Sequence, residues 1–376
     1  MIKRLIEPDI TKHLLSDHQV IIVYGPRRVG KTTLINHILD SIPLKSLRIN
    51  AEEPRYAQDL SSRDVARLTA LVGGYDLVFI DEAQHIENAG LVLKLIHDHI
   101  PQVKVIASGS SSFDLSQRVT EPLTGRKWTY TLLPISYQEL AAQYNQYELG
   151  QQLAERLVWG SYPDIFNYSS LQSRRKYLTE LSTDYLYRDV IQLTDIRNAN
   201  KIRDLLRLLS YQVGSEVSLQ EIGSQLDMSK DTVARYIDLL EKSFVLFRLT
   251  GYSHNLRKEV SKMNKYYFYD LGVRNILIDD VKTLDLRNDV GQLWENFLVI
   301  ERLKKNLYAQ SLSHPYFWRV YTGGEIDYVE TYQKELRGFE FKYAKRHVAS
   351  PPSWHATYPE ATYSIIHQEN FLDFVG

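Results

Sequence analysis

The stretch Val20–Thr33, VIIVYGPRRVGKTT, constrains this chain more than any other. An apolar run, Val20 to Val23, leads at once into Gly25-Pro26-Arg27-Arg28-Val29-Gly30-Lys31-Thr32-Thr33. Gly, four residues, Gly, Lys and Ser/Thr is the phosphate-loop spacing. Gly25 and Gly30 permit positive φ and a close approach of backbone to ligand. Successive N–H groups then converge on one concavity, and the helix that follows, Thr32 to Leu39, adds partial positive charge at its N-terminus. Lys31 is positioned to reach β- and γ-phosphates, and Thr32 to offer its hydroxyl to Mg²⁺. Gly25 to Thr33 is therefore the expected nucleotide-binding segment.

A second apolar run, Leu77 to Ile80, ends in Asp81-Glu82. Ligands of open α/β sheets bind at the carboxyl ends of strands. Asp81 is then placed to hold Mg²⁺ opposite Thr32, and Glu82 to polarise the attacking water. A third strand, Val103 to Ala107, ends in Ser108-Gly109-Ser110, where Ser110, with Ser108 beside it, is the expected sensor of the γ-phosphate. Arg126, in Leu123-Thr-Gly125-Arg126, is a candidate arginine finger, in cis or from a neighbouring copy. Acting in trans, it would require a homo-oligomer. Ser136 and Glu139 have capping-box spacing at the start of a helix. Alternating strands and helices predict a parallel sheet covered on both faces. As a set, these residues resemble the AAA+ and related ATPases with an acidic strand end, over residues 1–140.

A chain of 376 residues exceeds one core, so two or three domains are expected. Net charge is −1, so any nucleic-acid contact must come from a local patch. The absence of cysteine excludes disulfides, thiolate metal sites and cysteine catalysis. No apolar run approaches the ~20 residues of a membrane span, and MIKRLIEPDI has no signal-peptide pattern. The expected location is the cytoplasm, without membrane contact.

Glu216 to Leu240 reads as a helix-turn-helix. Ser218 with Glu221 has capping-box spacing, Ser229 caps a second helix, and Val233, Ile237 and Leu240 share one face. Phe244 to Leu249 with Gly251-Tyr252 would supply the strands of a wing. Lys230, Asp231, Thr232 and Arg235 open the second helix, where DNA-reading helices carry their contacts. Arg248, Arg257 and Lys258 are the expected phosphate contacts. Asp231 and Asp238 dilute this charge, and winged helices also dock proteins, so DNA and a protein partner both stay open.

In the C-terminal third, Gln292–Leu303 reads as an amphipathic helix, and Tyr316–Val320, Glu325–Val329 and Leu336–Tyr343 as strands. Alternation sets Phe339, Phe341 and Tyr343 on one side, Glu340 and Lys342 on the other. Asp327 could meet Glu340, with Glu295 as a further ligand: two carboxylates and a lysine suited to a divalent metal. This looks like the restriction-endonuclease-like fold. Nearly the whole chain resembles prokaryotic AAA+ ATPases that carry a C-terminal domain of unknown function. The expected architecture is α/β: a P-loop AAA+ ATPase domain at 1–145, a helical linker and winged helix at 146–255, and a restriction-endonuclease-like α/β domain at 256–376. The expected function is a Mg²⁺-dependent ATPase that binds and hydrolyses ATP, coupled to DNA binding or remodelling through the C-terminal domains. The alternatives are a slow nucleotide switch that recruits a protein, or an ATP-gated nuclease with Asp327, Glu340 and Lys342 at its metal.

Overall fold

The computed structural model describes residues 2–110, 122–191, 199–253, 264–320 and 324–376, with the backbone alone over 184–191 and at 199. The first unit is built on strands β1 (Val20–Tyr24), β2 (Ser46–Asn50), β3 (Leu77–Asp81), β4 (Lys104–Gly109) and β5 (Lys127–Thr131). They form one sheet in the order β2-β3-β4-β1-β5, and every pair is parallel.

Both faces of that sheet are covered, as the apolar runs require. Period-two alternation divides each strand between two cores. Val20, Ile22, Val78, Ile80, Val105 and Ala107 pack against α3 (Pro54–Ser61), α4 (Val65–Val72) and α5 (Ala89–His99). Ile21, Val23, Leu77, Phe79 and Ile106 pack against α1 (Glu7–Ser16) and α2 (Lys31–Ser41). Strand β4 lies between β1 and β3. The phosphate loop and Asp81 thus sit at the same carboxyl edge, one strand apart.

Most of the rest of the chain shares one core, running from Ile135 to Val375, beside a smaller one made by Trp318, Ile326, Val329, Trp354, Tyr358 and Ala361. Its helices are α6 (Tyr137–Ala141), α7 (Gln146–Trp159), α8 (Leu171–Ile191), α9 (Ala199–Tyr211), α10 (Leu219–Leu226), α11 (Lys230–Lys242), α12 (Leu271–Leu277), α13 (Val290–Tyr308), α14 (Pro352–Thr357) and α15 (Phe371–Val375). A second sheet contains β6 (Glu216–Val217), β7 (Leu246–Gly251), β8 (Asn264–Phe268), β9 (His314–Arg319), β10 (Glu325–Tyr332), β11 (Glu335–Phe341) and β12 (Thr362–Ile366). Its order is β12-β11-β10-β9-β7-β8-β6.

This sheet corrects two details. The run after Phe244 makes one strand, β7; its partner β8 lies beyond residue 255, in the segment assigned to the C-terminal module. Neither sheet nor core breaks at 255/256, because Thr250 and Gly251 of β7 pair with Tyr316 and Phe317 of β9. Ser218 forms half of its box: its side chain accepts Glu221 N, while the Glu221 carboxylate takes a 3.4 Å bond from Gln225. The boxes at Ser136 and at Asn145 are complete.

Backbone contact at Gly272 joins α7 to α12. A Cβ there would stand 2.2 Å from the Trp159 carbonyl oxygen, whereas one at Gly150, inside α7, would meet nothing within 4 Å. In urea unfolding, Gly272→Ala is expected to lose roughly 1–3 kcal/mol through overpacking. Gly150→Ala is expected to gain roughly 0.5–1 kcal/mol through helix propensity.

Candidate functional site

The phosphate loop takes the backbone its glycines allow. Gly25 has φ +150 and Gly30 φ +93, and Arg28 between them is also left-handed at +57. Lys31 is buried, and its ammonium is bound by the loop itself, 2.8 Å from Gly25 O and 3.0 Å from Pro26 O. Thr32 donates its hydroxyl to Asp81 Oδ2 at 2.7 Å. Asp81 Oδ1 accepts the hydroxyl of Ser108 and, at 3.1 Å, the N–H of Glu82. It is thus Ser108, rather than Ser110, that bonds Asp81. Ser110 is fully buried just past the end of β4.

Glu82 holds a left-handed conformation, φ +52, which costs a non-glycine residue on the order of 1–3 kcal/mol. That conformation turns its side chain into the cleft, where Gln84 donates to Oε2. Hydroxyl and carboxylate oxygens at Thr32 and Asp81 are hard donors that suit Mg²⁺.

A cavity of about 630 Å³ opens over this loop, within the roughly 300–1,000 Å³ of ordinary ligand pockets. Arg28, Gly30, Lys31, Thr32, Thr33 and Glu82 form its floor. Tyr144, Pro163, Asp164, Phe166 and Asn167, from the segment after residue 141, line its wall. Ile2 and Arg4 close one side. Sequence reading missed that wall and Arg4, because nothing local marks residues whose role depends on distant partners.

Arg4 is buried and fully engaged. It donates to Val29 O of the phosphate loop at 3.0 Å, to Leu133 O at 2.5 Å, and to Glu139 Oε1 at 3.0 Å. Glu139 also accepts Ser136 N and Leu5 N, at 2.8 and 3.0 Å.

Arg126 requires a correction. It stands at the entry end of β5, and its backbone oxygen accepts Val20 N at the start of β1. The phosphate loop leaves the other end of β1, after Tyr24. The Arg126 guanidinium is held 3.0 Å from Asp98, whose carboxyl sits below its usual range through hydrogen bonds from His97 and Arg126. A finger or sensor role in cis is excluded by that position.

The second predicted site is also assembled. The register that sets Tyr328 against Phe339 puts Asp327 across from Glu340, and a bulge between Ile326 and Val329 brackets Asp327. Asp327 Oδ2 accepts Phe341 N at 2.8 Å, and Lys342 Nζ lies 2.6 Å from Glu340. Glu295, on α13, accepts the Tyr267 hydroxyl at 2.7 Å. Burial raises the carboxyls of Glu295, Asp327 and Glu340, that of Glu295 to about 7. Lys342 stays above its usual range against burial, because Glu340 binds it. Among the described residues, no three His, Asp or Glu side chains gather closely enough to hold a metal ion. The donor set at Asp327 and Glu340 therefore does not fit the metal expected there.

Comparison with known proteins matches three stretches of the chain. Residues 17–141 match an AAA domain, 150–285 a domain of unknown function (DUF8612), and 290–357 another (DUF4143). The uncharacterized protein Rv2008c of Mycobacterium tuberculosis is 31% identical over 328 residues, covering 86% of this chain and 70% of that protein. The chain belongs to the same family. The uncharacterized protein MJ1544 of Methanocaldococcus jannaschii is 23% identical over 317 residues, 79% of this chain and 69% of that one. Among solved structures, the Walker-type ATPase paby2304 of Pyrococcus abyssi superposes with a TM-score of 0.50 at 16% identity, covering 74% of this chain and 96% of that one. The family member described here thus carries an AAA-type P-loop ATPase domain ahead of a DUF4143 region. No helix among the described residues is long and apolar enough to cross a membrane.

Two outcomes follow from these sites. Arg4→Ala leaves Glu139 buried without its cation and frees the loop carbonyl, so stability should fall by about 3–5 kcal/mol and nucleotide affinity with it. Chemical denaturation and nucleotide titration check both. At Glu295, the folded chain keeps a proton that the unfolded chain has released between pH 4.5 and about 7. Its contribution to stability is therefore lost as pH rises through that window. Relative to Glu295→Gln, the wild type should lose up to about 2–3 kcal/mol between pH 5 and 8.

Proposed function

We propose that the chain is a Mg²⁺-dependent ATPase whose turnover is coupled to DNA through a winged helix. The observation that carries this reading is the shared cavity: its floor is the phosphate loop, and its wall belongs to the body that holds the helix-turn-helix. Ser161 N, beside that wall, donates to Asp270 at 2.6 Å, and Asp270 lies two residues past the end of strand β8. Closure of the wall on a nucleotide would therefore be felt in the second sheet.

In this reading the loop N–H groups and Lys31 bind the phosphates, the ammonium exchanging its loop carbonyls for phosphate oxygens. Thr32 and Asp81 would hold Mg²⁺, which neutralises phosphate charge when bound. Glu82 orients and polarises the attacking water, and Ser108 keeps Asp81 in place. Ile2, Tyr144 and Phe166 offer apolar surface to the base. The order α9-β6-α10-α11-β7-β8 supports the winged-helix reading, with Lys230, Asp231 and Arg235 exposed on α11. Arg257 and Lys258 lie outside the described residues.

A second reading, a slow switch that recruits a protein, is favoured by the charge around α11. Arg248 is held by Glu241 at 2.8 Å and Lys242 by Asp238 at 2.9 Å, so two of its cations are already neutralised. Steady-state ATP hydrolysis with and without single-stranded, duplex and branched DNA separates the two. Severalfold stimulation supports coupling to DNA; a slow rate indifferent to DNA overturns it in favour of the switch. In either case Lys31→Ala should lower turnover at least ~100-fold. Glu82→Gln should keep nucleotide binding and lose about 10²–10⁴ in rate; unchanged turnover would remove Glu82 from its role.

A further inference from the structure

Strand β3 ends at Asp81, and Glu82 after it is left-handed. A single 3₁₀ turn, Ala83–His85, follows. Ala83 and Ile86, both buried, anchor that turn in the core. The N–H of His85 donates to Glu82 O at 3.0 Å, and that of Ile86 to Ala83 O at 3.1 Å. Gln84, in the middle of the turn, is thereby brought back to the side chain that precedes it, and its Nε2 donates to Glu82 Oε2. Among the described residues, none donates to Glu82 Oε1. Glu82 lines the nucleotide cavity, whereas Gln84 does not.

Two costs meet at this turn. One is the left-handed backbone of Glu82, strained in a residue other than glycine. The other is Gln84 Oε1, which is buried and accepts nothing among the described residues. The amide thus forgoes an acceptor bond to keep its donor on Glu82. Its opposite setting would put an oxygen against the carboxylate, so chemistry fixes the donor end. Strained backbone and unsatisfied polar groups gather where a side chain has a task. The donor is also neutral. It holds one carboxylate oxygen without pairing the charge, as an ammonium or guanidinium there would.

We infer that Gln84 is a positioning residue for hydrolysis: its side-chain amide anchors one oxygen of the Glu82 carboxylate and so aims the other at the water that attacks the terminal phosphate.

The inference rests on the ATPase reading, in which Glu82 orients that water. An unanchored glutamate spreads its oxygens over several rotamers. Fixing one oxygen from a turn that is itself anchored in the core narrows the positions open to the other. A misplacement of about 1 Å can cost on the order of 10²-fold in rate. Gln84 acts through Glu82 alone in this arrangement, since it does not reach the cavity. Its loss therefore weakens the chemical step and leaves nucleotide binding in place.

The test is Gln84→Met in the full chain, which keeps the length of the side chain and removes the donor. Hydrolysis of ATP is followed in single turnovers with protein in excess, and affinity for a non-hydrolysable ATP analogue is measured alongside. Gln84→Met is expected to lose about 10- to 100-fold in the hydrolytic rate, with analogue affinity within about twofold of wild type. In a Glu82→Gln background the same substitution is expected to cost less than about twofold, because the group it positions is already gone. An unchanged rate in Gln84→Met overturns the inference. So does an equal further loss in the Glu82→Gln background, or a parallel loss of analogue affinity, which a merely structural contact would give. If Gln84→Met does not fold, Gln84→Ala, which adds no bulk, is read in the same way. Absence of turnover that depends on Lys31 and Glu82 removes the ATPase reading and this inference with it; turnover that depends on both but not on Gln84 removes the inference alone.

Discussion

The phosphate loop leaves β1 pressed against the backbone that follows β5. A Cβ at Gly25 would stand 2.1 Å from Leu132 O, and Leu132 N bonds Tyr24 O at 2.8 Å. No residue with a side chain fits there, so the loop's conformation depends on where Leu132 lies. Leu132 and Leu133 are in turn held from two directions. Arg4 ties Leu133 O to Val29 O, and Tyr308 of α13 accepts Leu133 N at 3.1 Å. Further along, Glu301 of α13 accepts Tyr137 N at 2.6 Å and Lys304 donates to Ile135 O at 3.3 Å. The helix that carries Glu295 at one end thus grips the segment against which the phosphate loop is folded.

Strand β8 makes the second link between the two halves. One end supplies Lys265 and Tyr267 to the acidic cluster; past the other, Asp270 accepts Ser161 N beside the cavity wall. Burial raises the Asp270 carboxyl, and the backbone N–H groups of Ser161 and Val273 counter it. Buried polar groups of this kind are costly unless every partner is in place. They therefore fix relative position more than they add stability.

The two acidic sites differ in what neutralises them. Asp81 is met by hydroxyls and a backbone N–H, neutral donors at the edge of an open cavity. Glu295 and Glu325 are met by an ammonium that is almost wholly buried. A carboxylate with neutral donors beside a cavity is free to take an incoming cation.

Much of the first unit was legible in the sequence. Apolar runs of four residues, Val20–Val23 and Leu77–Ile80, specify strands buried on both faces, and the motif at Gly25–Thr32 specifies its own backbone through two glycines and a helix start. These are local properties, fixed by neighbours along the chain. The capping box at Ser136 and the facing of Asp327 with Glu340 were legible for a similar reason: local spacing decides the first, and strand alternation with a short hairpin turn the second. Tertiary structure decided the rest. Nothing near Arg126 in sequence reveals that parallel pairing puts it at the far end of the sheet. Nothing near Arg4, Phe166 or Lys265 reveals their partners, which lie up to 135 positions away in the case of Arg4 and Glu139. Such contacts arise from how the two sheets are ordered and docked, and a hydrogen bond or ion pair across that distance leaves no periodic trace in either segment.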